Sequence, residues 1–136
     1  MQFNQELNLA SYTIRSYSTG KIRISAPFDR TLEQPEIPED EVLTESFIMT
    51  PTQLIRNWPP QSVDEICAEH LEIASVLNPE VLLIGTGTTL VFPDMTLTYQ
   101  LMERGIGVEI MDTAAACRTY NVLMHEGRRV VLALVI

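Results

Sequence analysis

This chain is poor in most of the features that announce a function outright. It has two cysteines, Cys67 and Cys117. They form no CxxC pair and read as free thiols of a reducing compartment. No apolar run approaches the ~20 residues that span a bilayer. The start, MQFNQELNLASY, lacks the basic and apolar stretches of a secretory signal, so a cytoplasmic location is expected. Cations are scarce: nine Lys and Arg stand against eighteen Asp and Glu, a net charge of −9. That balance opposes nucleic acid, whose phosphates need a basic stripe, and it opposes anionic membrane surfaces. No nucleophile with its base, no paired carboxylates and no metal-ligand spacing can be assembled. No catalytic residue, metal or cofactor is therefore assigned.

What is present is a fold pattern. The 136 residues, 46% of them hydrophobic, suit one domain with one core. YTIRSYSTGKIRIS alternates, with Tyr12, Ile14, Ile22 and Ile24 on one parity of two arms around Ser18-Thr19-Gly20, so an N-terminal β-hairpin is predicted. PFDRTLEQPEIPEDEV reads as a loop. The span from Asp29 to Glu45 holds seven acids against Arg30, which is −6 of the total. A solvated face is its plain reading and an acidic docking segment the sharper one. SFIMT reads as a strand, and Thr50-Pro51 as the cap and first residue of a helical turn through Ile55. Ser62 to Glu65 fits a capping box, opening a helix with Val63, Ile66, Cys67, His70, Leu71, Ala74 and Leu77 on one stripe. From Pro79 the order is regular: strand VLLIG, helix MTLTYQLMER capped by Asp94, strand GVEIM, helix TAAACRTYNVLMHE capped by Asp112, strand RVVLALVI. Such alternation predicts an α/β domain with crossover helices and the last strand central or covered.

The nearest thing to a chemical motif is LLIGTGTTLVFPD. A dinucleotide fingerprint needs G-x-G-x-x-G at the start of a helix. Here Leu90 takes the third position and the helix begins only after Asp94. No Gly-Lys-Ser/Thr follows, so it is no Walker loop. The plain expectation is that Gly85 and Gly87 supply backbone angles closed to other residues. The alternative is an anion nest at the carboxyl edge of the sheet, in a crevice lined by Gly85, Thr86, Gly87, Asp112 and Thr113. On the last helix, Ala116, Cys117, Tyr120, Leu123 and Met124 form the inner face. Arg118, Asn121 and His125 share the outer one: a wetted surface, or a contact surface for another protein.

PEVLLIGTGTTLVFPD together with GIGVEIMDTAAACRTYNVLMHEGRRVVLALVI resembles the Mth938-like family of small domains. Its eukaryotic relatives include a mitochondrial complex I assembly factor and an adipogenesis-associated protein. The similarity runs most strongly from Ser46 to Ile136. It implies a three-layer α/β fold with a mixed central sheet, no established catalytic residues, and a role through protein contacts. The expected function is a non-catalytic interaction or assembly module whose partner is another protein. The alternative is a small-ligand or anion binder using the Gly85–Gly87 corner.

Overall fold

The computed structural model describes residues 11–28, 31, 33 and 37–136. The first ten residues lie outside these, as do Asp29, Arg30, Leu32 and residues 34–36 of the acidic stretch. The alternating N-terminal segment forms β1 (Thr13–Ser18) and β2 (Lys21–Ser25), an antiparallel pair with a bulge between Ile14 and Ser16. Ile14, Ile22 and Ile24 are buried, as their parity requires. The expected loop ends early: Glu41–Leu43 is a strand, β3, paired antiparallel to β2. A three-stranded sheet therefore replaces the simple hairpin. Three residues are too few to show a period, which is why the sequence concealed it.

β4 (Phe47–Met49) and β5 (Leu54–Ile55) pair antiparallel, so the helical turn expected over 50–55 is corrected to a hairpin. Thr50 does cap, since its Oγ1 accepts from the Thr52 and Gln53 amides. A threonine hydroxyl makes the same bonds in a tight turn as at a helix start, and Leu54–Ile55 resolve the choice by pairing. The second correction is at Ser62. Val63–Glu65 is a single 3₁₀ turn, and α1 (Ala68–Ser75) begins five residues later than expected, with Cys67 at its N-cap. Glu65 accepts from the Gln61 amide instead of the Ser62 amide, so the capping box is not closed. Asn78, in left-handed backbone, and Pro79 end that helix.

β6 (Val81–Thr86), α2 (Met95–Glu103), β7 (Gly107–Met111), α3 (Thr113–His125) and β8 (Val130–Val135) follow the expected order. Asp94 accepts from the Thr96 amide and Asp112 from the Ala115 amide. Gly105 and Gly127 end the two helices at positive φ. The central sheet runs β5-β4-β8-β6-β7, with β6 parallel to both β7 and β8, and β4 antiparallel to β8. β8 is central, as its unbroken apolar sequence demands. Its two faces feed two cores. Val130, Leu132 and Leu134 point toward α3 and the small sheet, packing with Ile22, Ile24 and Tyr120. Val131, Ala133 and Val135 point toward α1 and α2, packing with Trp58, Leu71 and Leu101. The result is a three-layer α/β domain with a mixed central sheet. Among the described residues no helix is long and apolar enough to cross a membrane.

Candidate functional site

The glycine corner is built at the carboxyl end of β6. Gly85 has ordinary backbone angles and is buried. A Cβ there would run into the Leu134 side chain and press on Thr113 Oγ1 and Cα at 3.1 and 3.2 Å. The expectation that both glycines serve forbidden angles is therefore corrected for Gly85: it supplies room for α3 and β8. Gly87 does take φ +100°, with open space where a Cβ would stand. Its N–H donates to Thr113 Oγ1 (2.8 Å), and its carbonyl accepts from the Thr113 amide (2.9 Å). Thr113, fully buried, donates its own hydroxyl hydrogen bond to the Val135 carbonyl at 2.7 Å. Thr86 Oγ1 donates to the Thr89 carbonyl and accepts from the Val91 amide. Asp112 caps α3. The amide most central to an anion nest is thus already bonded within the fold.

A groove of about 330 Å³ does open beside this corner. Thr86, Gly87, Thr88 and Thr89 form one wall, Val135 and Ile136 the floor, and the turn at Thr19–Gly20 with Asp64 the far side. Gly85, Asp112 and Thr113 do not line it. Of the five residues expected to share a crevice, Thr86 and Gly87 line this groove, which lies on the β8 side of the corner. Thr88 and Thr89 are exposed there and offer hydroxyls and amides, while Asp64 opposes an anionic guest.

On α3, Arg118 and His125 are exposed and Asn121 is half-buried. Asn121 Oδ1 accepts from the Ile14 amide (3.0 Å) and Nδ2 donates to the Ile14 carbonyl (2.8 Å). The three residues share a helix face, yet Asn121 is spent on holding β1. A groove of about 340 Å³ between β1 and α3 brings Arg118 together with Arg15, Ser16 and Tyr17. Cys117 lines its base, buried, and burial pushes its thiol up to about 12 against a small opposing pull from Arg118. Burial likewise pushes the Tyr120 phenol well above its usual range, and its O–H donates to the Tyr12 carbonyl at 2.7 Å. At neutral pH both groups are protonated and unsuited to nucleophilic attack.

Two features escaped the sequence reading. Cys67 is exposed, and its backbone N–H donates to His70 Nδ1 at 3.1 Å, with the thiol sulfur 3.4 Å from the same nitrogen. His70 also has its carbonyl held by Trp58 Nε1 (3.1 Å), so its role is local architecture. Among the described residues no group of three or more His, Cys, Asp or Glu is placed to hold a metal. The larger omission is a ridge on the outer side of α2. Leu90, Val91, Phe92, Met95, Tyr99 and Met102 are 37 to 61% exposed. The signal was legible: residues 95, 99 and 102 make a second apolar stripe, on the flank of the helix beside the buried Thr98 and Leu101.

A mixed sheet covered on both faces makes this a small three-layer α/β domain. The chain belongs to the family described as protein of unknown function (DUF498/DUF598), which it matches over residues 14–135. It is 33% identical over 85 residues to the 13 kDa major membrane protein of Francisella tularensis, covering 62% of this chain and 69% of that one. It is 37% identical over 78 residues to the rat NADH dehydrogenase (ubiquinone) 1 alpha subcomplex assembly factor 3, covering 56% of this chain but only 42% of the rat protein. A Bordetella pertussis protein described as a Mth938-like domain superposes with a TM-score of 0.69 at 30% identity, covering 90% of this chain and 84% of that one.

Proposed function

We propose that this chain works by binding another protein, as an assembly-factor-like interaction module. The observation that carries the reading is the set of exposed apolar side chains between Leu90 and Met102, because apolar surface left uncovered on a folded domain, beyond scattered single residues, marks a contact site. The relatives support it, since one of them is named for assembling a larger complex. Arg118 and His125 remain available for contact on the other side of the sheet. Two unpaired cysteines accord with a reducing, cytoplasmic setting. The test is affinity capture with the intact chain beside a Phe92→Ser/Tyr99→Ser chain. A specific partner held by the first and released by the second supports the reading, provided the melting curves coincide. Equal recovery by both removes the ridge from the argument.

The second reading, a small ligand at the glycine corner, draws on the groove beside Thr86–Thr89 at the carboxyl ends of two parallel strands, where open α/β sheets bind ligands. A thermal-shift screen tests it. A ligand at ~100 times its dissociation constant raises stability by about 2.7 kcal/mol.

A further inference from the structure

We infer that the groove between β1 and α3 binds a single phosphoryl group, clamped between Arg15 and Arg118. The inference is independent of the apolar ridge and of the glycine corner. Charge points there first. Acids outnumber bases eighteen to nine, so an arginine of this chain readily finds a carboxylate. Arg56 pairs with Glu41, Arg104 with Glu72 and Arg128 with Glu80. Arg15 and Arg118 close no ion pair among the described residues, and both line the same groove of about 340 Å³. No carboxylate is among the residues lining it, whereas Asp64 and Glu45 stand in two other grooves. Two guanidiniums sharing a groove repel each other, and a dianion between them turns that repulsion into attraction.

The backbone is shaped to bring these groups together. The bulge leaves Arg15 without a cross-strand partner, between the pairs Ile14–Ile24 and Ser16–Arg23. In a regular strand residues 15 and 16 point to opposite faces. Here Ile14 is buried, while Arg15 and Ser16 are both exposed and both line the groove. Bulges beside sites recurrently re-aim side chains in this way. Asn121 holds both backbone groups of Ile14 next to the bulge. Arg15 is thereby positioned from α3, the helix that carries Arg118. The charge of Arg118 in turn reaches the Cys117 thiol at the groove's base.

The chemistry of the guest follows from the donors. Each guanidinium offers a planar fork to two oxygens. A carboxylate, with two oxygens and one charge, satisfies one fork. A phosphoryl group, with three oxygens and close to two charges, accepts from both forks and from the Ser16 hydroxyl. A longer polyanion is disfavoured, because phosphates outside the groove meet a chain of net charge −9. For one phosphoryl group that wider field is screened beyond about 8 Å at physiological salt, while the two guanidiniums lie in contact.

The experiment follows backbone amide shifts of the intact chain at constant ionic strength and about pH 8, where a phosphoryl group carries close to two charges. The probes are inorganic phosphate, succinate, chloride, and a short peptide with and without one phosphoserine. Phosphate is expected to shift amides of residues 15–17 and 114–121, and succinate to bind roughly tenfold more weakly. Arg15→Gln and Arg118→Gln are each expected to weaken phosphate binding roughly tenfold or more. Lys21→Gln, the same loss of charge at the hairpin end of the small sheet, should leave it unchanged. Because the bound group bridges β1 to α3, phosphate should slow amide exchange in β1 of the wild-type chain and not of Arg118→Gln. A phosphopeptide that binds more tightly than inorganic phosphate identifies a modified protein side chain as the source, and equal affinity identifies a small molecule. The proposal is overturned if succinate or chloride matches phosphate, or if Lys21→Gln weakens binding as much as Arg15→Gln. Shifts centred on Thr86–Thr89, or no shifts at all, overturn it equally. Should a substitution disturb the fold, the wild-type comparison of phosphate with succinate and the location of the shifts decide without it.

Discussion

Gly85 and Gly87 serve one corner for opposite reasons, and substitution separates them. Gly85→Ala forces a methyl into Leu134 and Thr113, an overpacking cost of roughly 1–3 kcal/mol. The cost should shrink in a Leu134→Ala background, because the two positions share one space. Gly87→Ala meets open space and pays only for its positive φ, about 1–2 kcal/mol, with no relief from Leu134→Ala. Chemical denaturation of the two singles and the double checks both statements, and equal relief at both sites would refute them. The cysteines divide as sharply. With its thiol pushed up to about 12, Cys117 is thiolate in only about one molecule in ten thousand at pH 8, and it is buried besides. Iodoacetamide should therefore label exposed Cys67 and spare Cys117 until denaturant is added. Mass spectrometry of the native chain reads this directly, and native labelling of Cys117 would show that α3 opens from the sheet.

At the scale of elements, the small sheet is fastened to α3 by few but specific bonds. Asn121 satisfies both backbone groups of Ile14 beside the bulge in β1. Asn121→Ala leaves that amide and carbonyl unpaired at a part-buried site, a cost of about 1–3 kcal/mol. The loss should be local: amide exchange in β1 and β2 quickens while β6 and β8 keep their protection. Asn121→Asp retains the acceptor and loses the donor, so an intermediate effect is expected. If exchange quickens uniformly through the central sheet, the small sheet is not a separable unit. This role was invisible in the helical wheel. The wheel set Asn121 with the outer face, yet its amide faces β1, because a wheel carries no knowledge of what packs against each side.

For the whole molecule, charge sets a stability window. Glu41 is held below the usual carboxylate range by the side-chain hydrogen bond from Arg56, Glu72 by Arg104, and Glu80 by the Arg129 amide. Groups with lowered folded values stabilise above their unfolded value of 4.5 and lose that contribution as pH falls through the folded one. Cys117 and Tyr120 have raised values. Their contributions are complete below the unfolded values of 9.0 and 10.0 and are lost as pH rises beyond them. Melting temperature should hold a plateau between these limits. The acid side should fall gently, because the three carboxylates are solvated and their pairs screened. The alkaline side should fall more steeply, since two core groups must ionise. Cys117→Ala should soften the alkaline decline, and an unchanged profile in that variant would remove the thiol from the account.

Sequence alone determined what is local. The 3.6-residue and two-residue periods from Pro79 onward, the Asp94 and Asp112 caps, and the Gly105 and Gly127 stops are each specified within one turn of chain. The apolar run of β8 likewise required a central strand wherever that strand lay. Tertiary structure decided what depends on distant partners or on very short segments. β3 and β5 are too short to display a period and exist only because β2 and β4 offer them an edge. The demand for glycine at 85 comes from Leu134 and Thr113, and the duty of Asn121 from Ile14, 107 residues away. The outer stripe of α2 was written in the sequence beside an inner one. Only packing determined which of the two met the sheet and which was left to solvent, because burial is settled by the neighbours that arrive and not by the residues that wait for them.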